Sequence, residues 1–214
     1  MPMRRNPFVR PMSPADVGKK VIIVCEGKKT EYGYFESIRQ SKRLRSTRII
    51  VVRPDGTDPL TIVREAVAQR ENQRLKRRWS HEDSAWAVYD GDEHIQHNPI
   101  VWHSAMSLAM KENIKLAITN PAFEYWYLLH FRDHESNLSR QKAIQLLKEH
   151  IPDYEKSDIL YSSHLVDITA DAISRAKDLH RRRALDGHEL YSNPCAHVFR
   201  LVEELLAMSS GSRP

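Results

Sequence analysis

Val21-Ile22-Ile23-Val24-Cys25-Glu26-Gly27 is the stretch on which the fold turns. Its apolar run, rich in β-branched residues, suits a strand buried on both faces of a sheet. The acid and the glycine that follow mark where the chain leaves that sheet. Beyond them the spacing predicts a helix with Thr30 as N-cap and Tyr34, Phe35 and Ile38 on its inner side.

The same alternation continues along the chain. Ile49-Ile50-Val51-Val52 reads as a second strand, ended by Arg53-Pro54-Asp55-Gly56. Asp58-Pro59 then supplies a cap and a first-turn proline for a helix, with Leu60, Val63, Val67 and Leu75 facing inward. Ser84–Tyr89 reads as a third strand, Ile100–Met110 as a third helix, and Leu116-Ala117-Ile118-Thr119 as a fourth strand closed by Asn120-Pro121. Strands alternating with helices predict a mostly parallel, Rossmann-like sheet of about four strands with helices on both faces. From Phe123 onward only helical patterns appear, over Phe123–Phe131, Ser139–His150, Asp167–Arg183 and Ala196–Met208. The expected organisation is a basic, proline-rich arm over 1–18 and one domain over 19–208. Within it, 19–121 form the α/β core and 122–208 a mainly helical layer, with 209–214 as a tail.

Composition narrows the function classes. The 41% hydrophobic and 29% charged content is that of a globular protein. No run of ~18 or more apolar residues occurs, so no membrane span is indicated. The first residues lack the apolar core of a secretory signal. Cys25 and Cys195 stand far apart and outside any C-x-x-C pair, which fits a reduced, cytoplasmic setting. The net charge of +5 is concentrated in clusters: Arg39, Lys42, Arg43, Arg45 and Arg48; Arg70, Arg74, Lys76, Arg77 and Arg78; Arg181, Arg182 and Arg183. Each reads either as a solvated helix end or as part of a polyanion-binding face.

In an open parallel sheet, ligands bind beyond the carboxyl ends of the strands. Glu26 is placed there by the first strand, and Asp90 and Asp92 by the third, in Val88-Tyr89-Asp90-Gly91-Asp92. If the backbone stays extended, the two-residue period points both aspartates the same way, and Gly91 permits a close approach. Three converging carboxylates repel one another unless a cation or protons neutralise them. An all-oxygen set suits Mg²⁺ or Mn²⁺ rather than zinc, and such an ion polarises a phosphoryl oxygen. On spacing alone the competing reading is ordinary: Asp90 begins a turn, Asp92 is solvated and Glu26 caps the next helix.

Four ordered stretches, VIIVCEGKKTEYGYFE (from Val21), VYDGDEH (from Val88), AITNPAFEYWYLLHF (from Ala117) and SNPCAHVFRLVEEL (from Ser192), resemble the successive motifs of the RloB-like family. The resemblance runs from about Lys19 to Leu206. It implies a topoisomerase–primase-like (TOPRIM) domain, a Mg²⁺-dependent nuclease activity in bacterial anti-phage defence, and an ATPase partner. One departure stands at Cys195-Ala196, where a Ser-Thr-type pair is expected, and it weakens any polar role there.

Other residues join this core by position. Lys28 and Lys29, on the turn into the first helix, are candidates to bind phosphate with that helix's N-terminus. The string is no P-loop, because Ile22 stands where its first glycine belongs and Lys29 replaces the Ser/Thr. Glu31 either caps the helix or joins the metal site. Pro121 is expected to start a helix that holds Asn120 and Glu124 at the sheet edge, and the resemblance raises both as site residues. The aromatics around Glu124 read as core. His94 is a candidate acid–base or phosphate contact. Asn193-Pro194 is expected to begin the last helix, with Asn193 and His197 as further contacts. The leading expectation is therefore a nuclease acting on DNA or RNA through Glu26, Asp90, Asp92, His94 and Glu124. The alternatives are a non-catalytic nucleic-acid-binding or adaptor subunit of an ATPase-containing complex, and a small-molecule phosphotransfer enzyme.

Overall fold

The structure, a computed structural model, describes residues 19–27, 29–51, 58–155 and 160–210. The 1–18 arm, Lys28, the Arg53-Pro54-Asp55-Gly56 turn and residues 211–214 of the tail lie outside the described residues. The elements run β1 (Val21–Cys25), α1 (Thr30–Ser41), β2 (Thr47–Val51), α2 (Pro59–Leu75), β3 (Ser84–Asp90), α3 (Asp92–His97), α4 (Pro99–Lys111) and β4 (Lys115–Asn120). Then follow α5 (Phe123–Leu129), α6 (Arg140–Lys148), α7 (Thr169–Leu185), β5 (Cys195–Ala196) and α8 (Phe199–Ser210).

The sheet order is β2-β1-β3-β4-β5. The first four strands are parallel and β5 is antiparallel to β4. The α/β, Rossmann-like expectation holds, with β5 added at one edge. Because successive strand residues face opposite sides, Val21, Ile23 and Cys25 enter one hydrophobic core while Ile22 and Val24 enter the other. The first core is completed by Tyr34, Phe35 and Ile38 of α1 and by α5 to α8; the second by α2 and α4. All of β1 and β3 is buried, which is why both read as continuous apolar runs. No helix among the described residues is long and apolar enough to cross a membrane.

Several local expectations are corrected. Lys29, not Thr30, is the N-cap of α1, and it makes no side-chain cap bond; Thr30 is already helical. Asp58 does cap α2, its Oδ1 accepting from the Thr61 N–H at 3.0 Å. The inward face of α2 is Ile62, Val63, Ala66 and Arg70, while Leu75 is 85% exposed in the final turn, beyond the covered face. Pro121 does not start a helix, because Ala122 is extended (φ −155°, ψ 167°) and α5 begins at Phe123. Asn193-Pro194 does not begin the last helix either: Cys195 and Ala196 pair with Asn120 and Thr119, and α8 starts only at Phe199. Both Asn–Pro bonds are cis. Finally, Asp90 and Asp92 do not share an extended backbone. Gly91 turns into helical geometry (φ −98°, ψ −26°) and Asp92 opens the short α3.

Candidate active site

The strand order reverses direction between β1 and β3, and this is where an open α/β sheet forms its binding crevice. Glu26 lies one residue beyond β1, its N–H donating to the Val88 carbonyl at 3.0 Å. Its Oε2 accepts from the Asp90 N–H at 3.3 Å, so one carboxylate bridges the two strand ends. Asp90 closes β3 and is 7% exposed. Its Oδ2 is 3.0 Å from the Arg140 guanidinium, whereas its Oδ1 is buried with no hydrogen-bond partner among the described residues.

Two more carboxylates reach this point from helix first turns: Glu31 of α1, 6% exposed, and Glu124 of α5, 2% exposed. The Glu31 carboxylate lies directly over Gly27, where a Cβ would stand 2.2 Å from its Oε2. Only a glycine leaves room for that acid in its present place. Glu124 accepts a long bond, 3.4 Å, from the Tyr154 hydroxyl. Burying carboxylates among carboxylates favours their neutral forms. Burial, aided by Glu26 and Glu124, pushes Glu31 up to about 7, with its own backbone N–H and Arg140 opposing. Burial and then Glu31 hold Asp90 well above the usual carboxylate range, despite the Arg140 contact. One arginine does not offset the acids around it.

This arrangement has a pH signature in the metal-free protein. Glu31 titrates near 7 when folded against an ordinary 4.5, so the folded state holds the extra proton between those values. The contribution of Glu31 to stability is then greatest below about pH 4.5 and is lost as pH rises through 7. The expected loss from this group is on the order of 3 kcal/mol between pH 4.5 and 8. Urea unfolding in EDTA across that range measures it, and Glu31→Gln is expected to flatten much of the slope. A stability that rises with pH in this window would refute the arrangement.

The remaining expected site residues divide. His94 Nε2 is 3.6 Å from Glu26 Oε1, at the site. Lys29 is exposed at the start of α1, and Lys28 and the Asp92 side chain lie outside the described residues. Asn120 closes β4 beside Gly91, whose added Cβ would stand 3.1 Å from Asn120 Cβ. Asn193 is not turned to the acids; its amide exchanges two bonds with the Leu138 backbone, at 3.0 and 2.8 Å, and so pins two loops together. His197 is 1% exposed among His180, Tyr191 and Phe199. Burial, with Arg200 and His180 nearby, pushes it down to about 3, so it brings no positive charge to a phosphate near pH 7. Arg140, the first residue of α6, had no sequence signal.

Part of each basic cluster is engaged within the protein. Arg39 pairs with Glu36, Arg74 with Glu71, Arg181 with Asp178 and Arg182 with Glu135. Arg70 is buried, ties α2 to the Glu112 carbonyl and carboxylate, and is structural. Exposed pairs of this kind hold by only ~0–1 kcal/mol, so a polyanion can recruit the surface members.

Oxygen donors dominate the site, as Mg²⁺ or Mn²⁺ requires. Among the described residues, no group of three or more His, Cys, Asp or Glu side chains is disposed to hold a metal ion as it stands. The unpartnered Asp90 Oδ1 and the excess of buried acid fit a cation chemically, while Arg140 holds the other Asp90 oxygen.

An open α/β sheet gathering four carboxylates at its switch point defines a Rossmann-like protein with an acidic site. The chain belongs to the RloB-like family, whose model matches residues 21–205. No curated protein and no solved structure matches it.

Proposed function

We propose that this chain is a TOPRIM-like nuclease that requires Mg²⁺ or Mn²⁺, cleaves phosphodiester bonds of DNA or RNA, and serves bacterial anti-phage defence in the cytoplasm. The observation that carries the reading is the buried Asp90 carboxylate at the β1/β3 switch point, with one oxygen unpartnered and more acid around it than Arg140 offsets. Glu26 and Asp90 would hold the ion with Asp92, and Glu31 and Glu124 would add their charge to its surroundings. Once bound, the ion would supply Lewis-acid polarisation of a phosphoryl oxygen and a lowered pKa for water. Glu26 orients His94, which can pass a proton to the leaving oxygen. Arg140, against Asp90, and Lys29, at the start of α1, are cations available to the non-bridging phosphate oxygens.

The competing reading, a non-catalytic nucleic-acid-binding or adaptor subunit of an ATPase-containing complex, draws on the Arg140–Asp90 contact, which a purely structural acid cluster would retain. Incubating the full chain with single- and double-stranded DNA and RNA, tRNA included, in Mg²⁺, Mn²⁺ or EDTA separates the two. Cutting that EDTA stops supports the nuclease. Binding without cutting in every metal, with and without an ATPase partner, favours the adaptor.

A further inference from the structure

A cavity of about 250 Å³ lies on the β4 side of the acidic site, lined by Ile95, Trp102, Asn120, Tyr191, Glu189 and Asn193 among others. It opens at the same carboxyl end of the sheet as the acids and meets them through the backbone at Gly91. Gly91, the residue after Asp90, sits against both Asn120 and Ile95, its added Cβ lying 3.1 and 3.2 Å from them. Two walls are aromatic: Trp102, nearly buried, and Tyr191 meet edge to face with centroids 5.7 Å apart.

The polar group in this cavity has a fixed sense. Asn120 is 5% exposed, and its Nδ2 donates to the Tyr191 carbonyl at 2.9 Å. A carbonyl can only accept, so that bond settles which end of the amide is nitrogen. The other end, Oδ1, is buried without a partner among the described residues. A buried acceptor left unmade is costly, so a ligand that brings a donor is favoured there. Glu189, exposed on the same lining, offers a second acceptor.

We propose that this cavity receives one unpaired nucleobase bearing an exocyclic amino group, and that the substrate of the acidic site is therefore a strand with an unpaired cytosine or adenine next to the scissile phosphate. The inference rests on the nuclease reading for the identity of the polymer. A volume slightly under the roughly 300–1,000 Å³ of a drug-sized pocket suits one planar heterocycle. Apolar and aromatic walls suit its faces, and acceptors suit an amino edge. A base-paired nucleotide cannot present that edge, whereas an unpaired one enters at little unstacking cost.

The test is binding of fluorescent single-stranded oligo-dC and oligo-dU to the full chain in EDTA, by polarisation. The two probes share ring size and backbone and differ at the 4-amino or 4-oxo group. Oligo-dC is expected to bind about tenfold more tightly, the scale of one good base-edge contact. Glu189→Gln, on the surface, and Asn120→Ala are each expected to bring the ratio towards one. Equal binding of both probes by the native chain, no binding of either, or a ratio untouched by both substitutions would overturn the proposal. So would free dCMP competing as well as the strand, since the cavity would then serve a nucleotide. Cleavage of a mixed-sequence strand in Mg²⁺ is scored separately. Cutting without a dC preference removes the base pocket alone, and a dC preference without cutting removes the nuclease alone.

Discussion

Asp90→Asn is expected to lose metal-dependent cleavage by on the order of 10²–10³-fold or more, the scale on which removing a single electrostatic stabiliser acts, while melting at a higher temperature than the native chain in EDTA. The two effects have one cause. A charge on Asp90 is a liability to the folded state, since burial and Glu31 hold its carboxyl well above the usual range. A group whose folded pKa is raised contributes stability that is lost as pH rises through that value. Asparagine keeps the shape and discards the charge. Arg140, 28% exposed along its side chain, still has acids nearby to pair with. A site that gives up stability to concentrate charge is a familiar trade. Cleavage assays and thermal melts on the same preparation check both halves. A variant that loses activity and melts lower would make Asp90 a structural residue.

Arg140→Gln is expected to act in the opposite sense. It removes the guanidinium against the buried Asp90 carboxylate, and leaving a buried charge without its partner costs up to about 3–5 kcal/mol. The loss should therefore reach about 3 kcal/mol in EDTA at pH 8 and shrink towards pH 5, where protons neutralise the acids instead. If the cluster is an ion site, millimolar Mg²⁺ should restore most of it and raise the melting temperature of the variant more than that of the native chain. Equal Mg²⁺ responses in the two proteins would mean that the carboxylates are not where the ion binds.

What the sequence discloses depends on how far apart the cooperating residues lie. The four parallel strands and most helices are written locally, as apolar runs and 3.6-residue stripes, and the acids at Glu26 and Asp90 follow from where those runs stop. The α3 helix escaped because Gly91-Asp92 reads as loop chemistry and its six residues are too few to show a stripe. Cys195-Ala196 carry no strand signal of their own; only the waiting edge of β4 makes them one. Glu31 and Glu124 are distant from Asp90 along the chain, and their convergence needs α1 and α5 packed on the sheet before it exists. Arg140 is the extreme case, a polar residue at a helix start like any other until the fold sets it against Asp90. The asparagines illustrate the reverse. Asn120 and Asn193 both precede proline and both line the cavity, yet one keeps an unpartnered oxygen while the amide of the other is consumed by the Leu138 backbone.

The two-residue strand β5 has a consequence for the protein's life among its own copies. It covers β4 at Thr119 and Asn120, and the His197 N–H reaches the Ile118 carbonyl at 2.8 Å. An uncovered outer strand is a template on which another chain can add its own. Here the guard over that edge is supplied by residues about 75 positions further along the chain, with charged Lys115 standing at the strand's open beginning, tethered to Glu204 of α8. A nascent chain or a fragment that stops short of Cys195 would present the sticky side of its sheet to its neighbours, so the edge is guarded only once Cys195-Ala196 are in place.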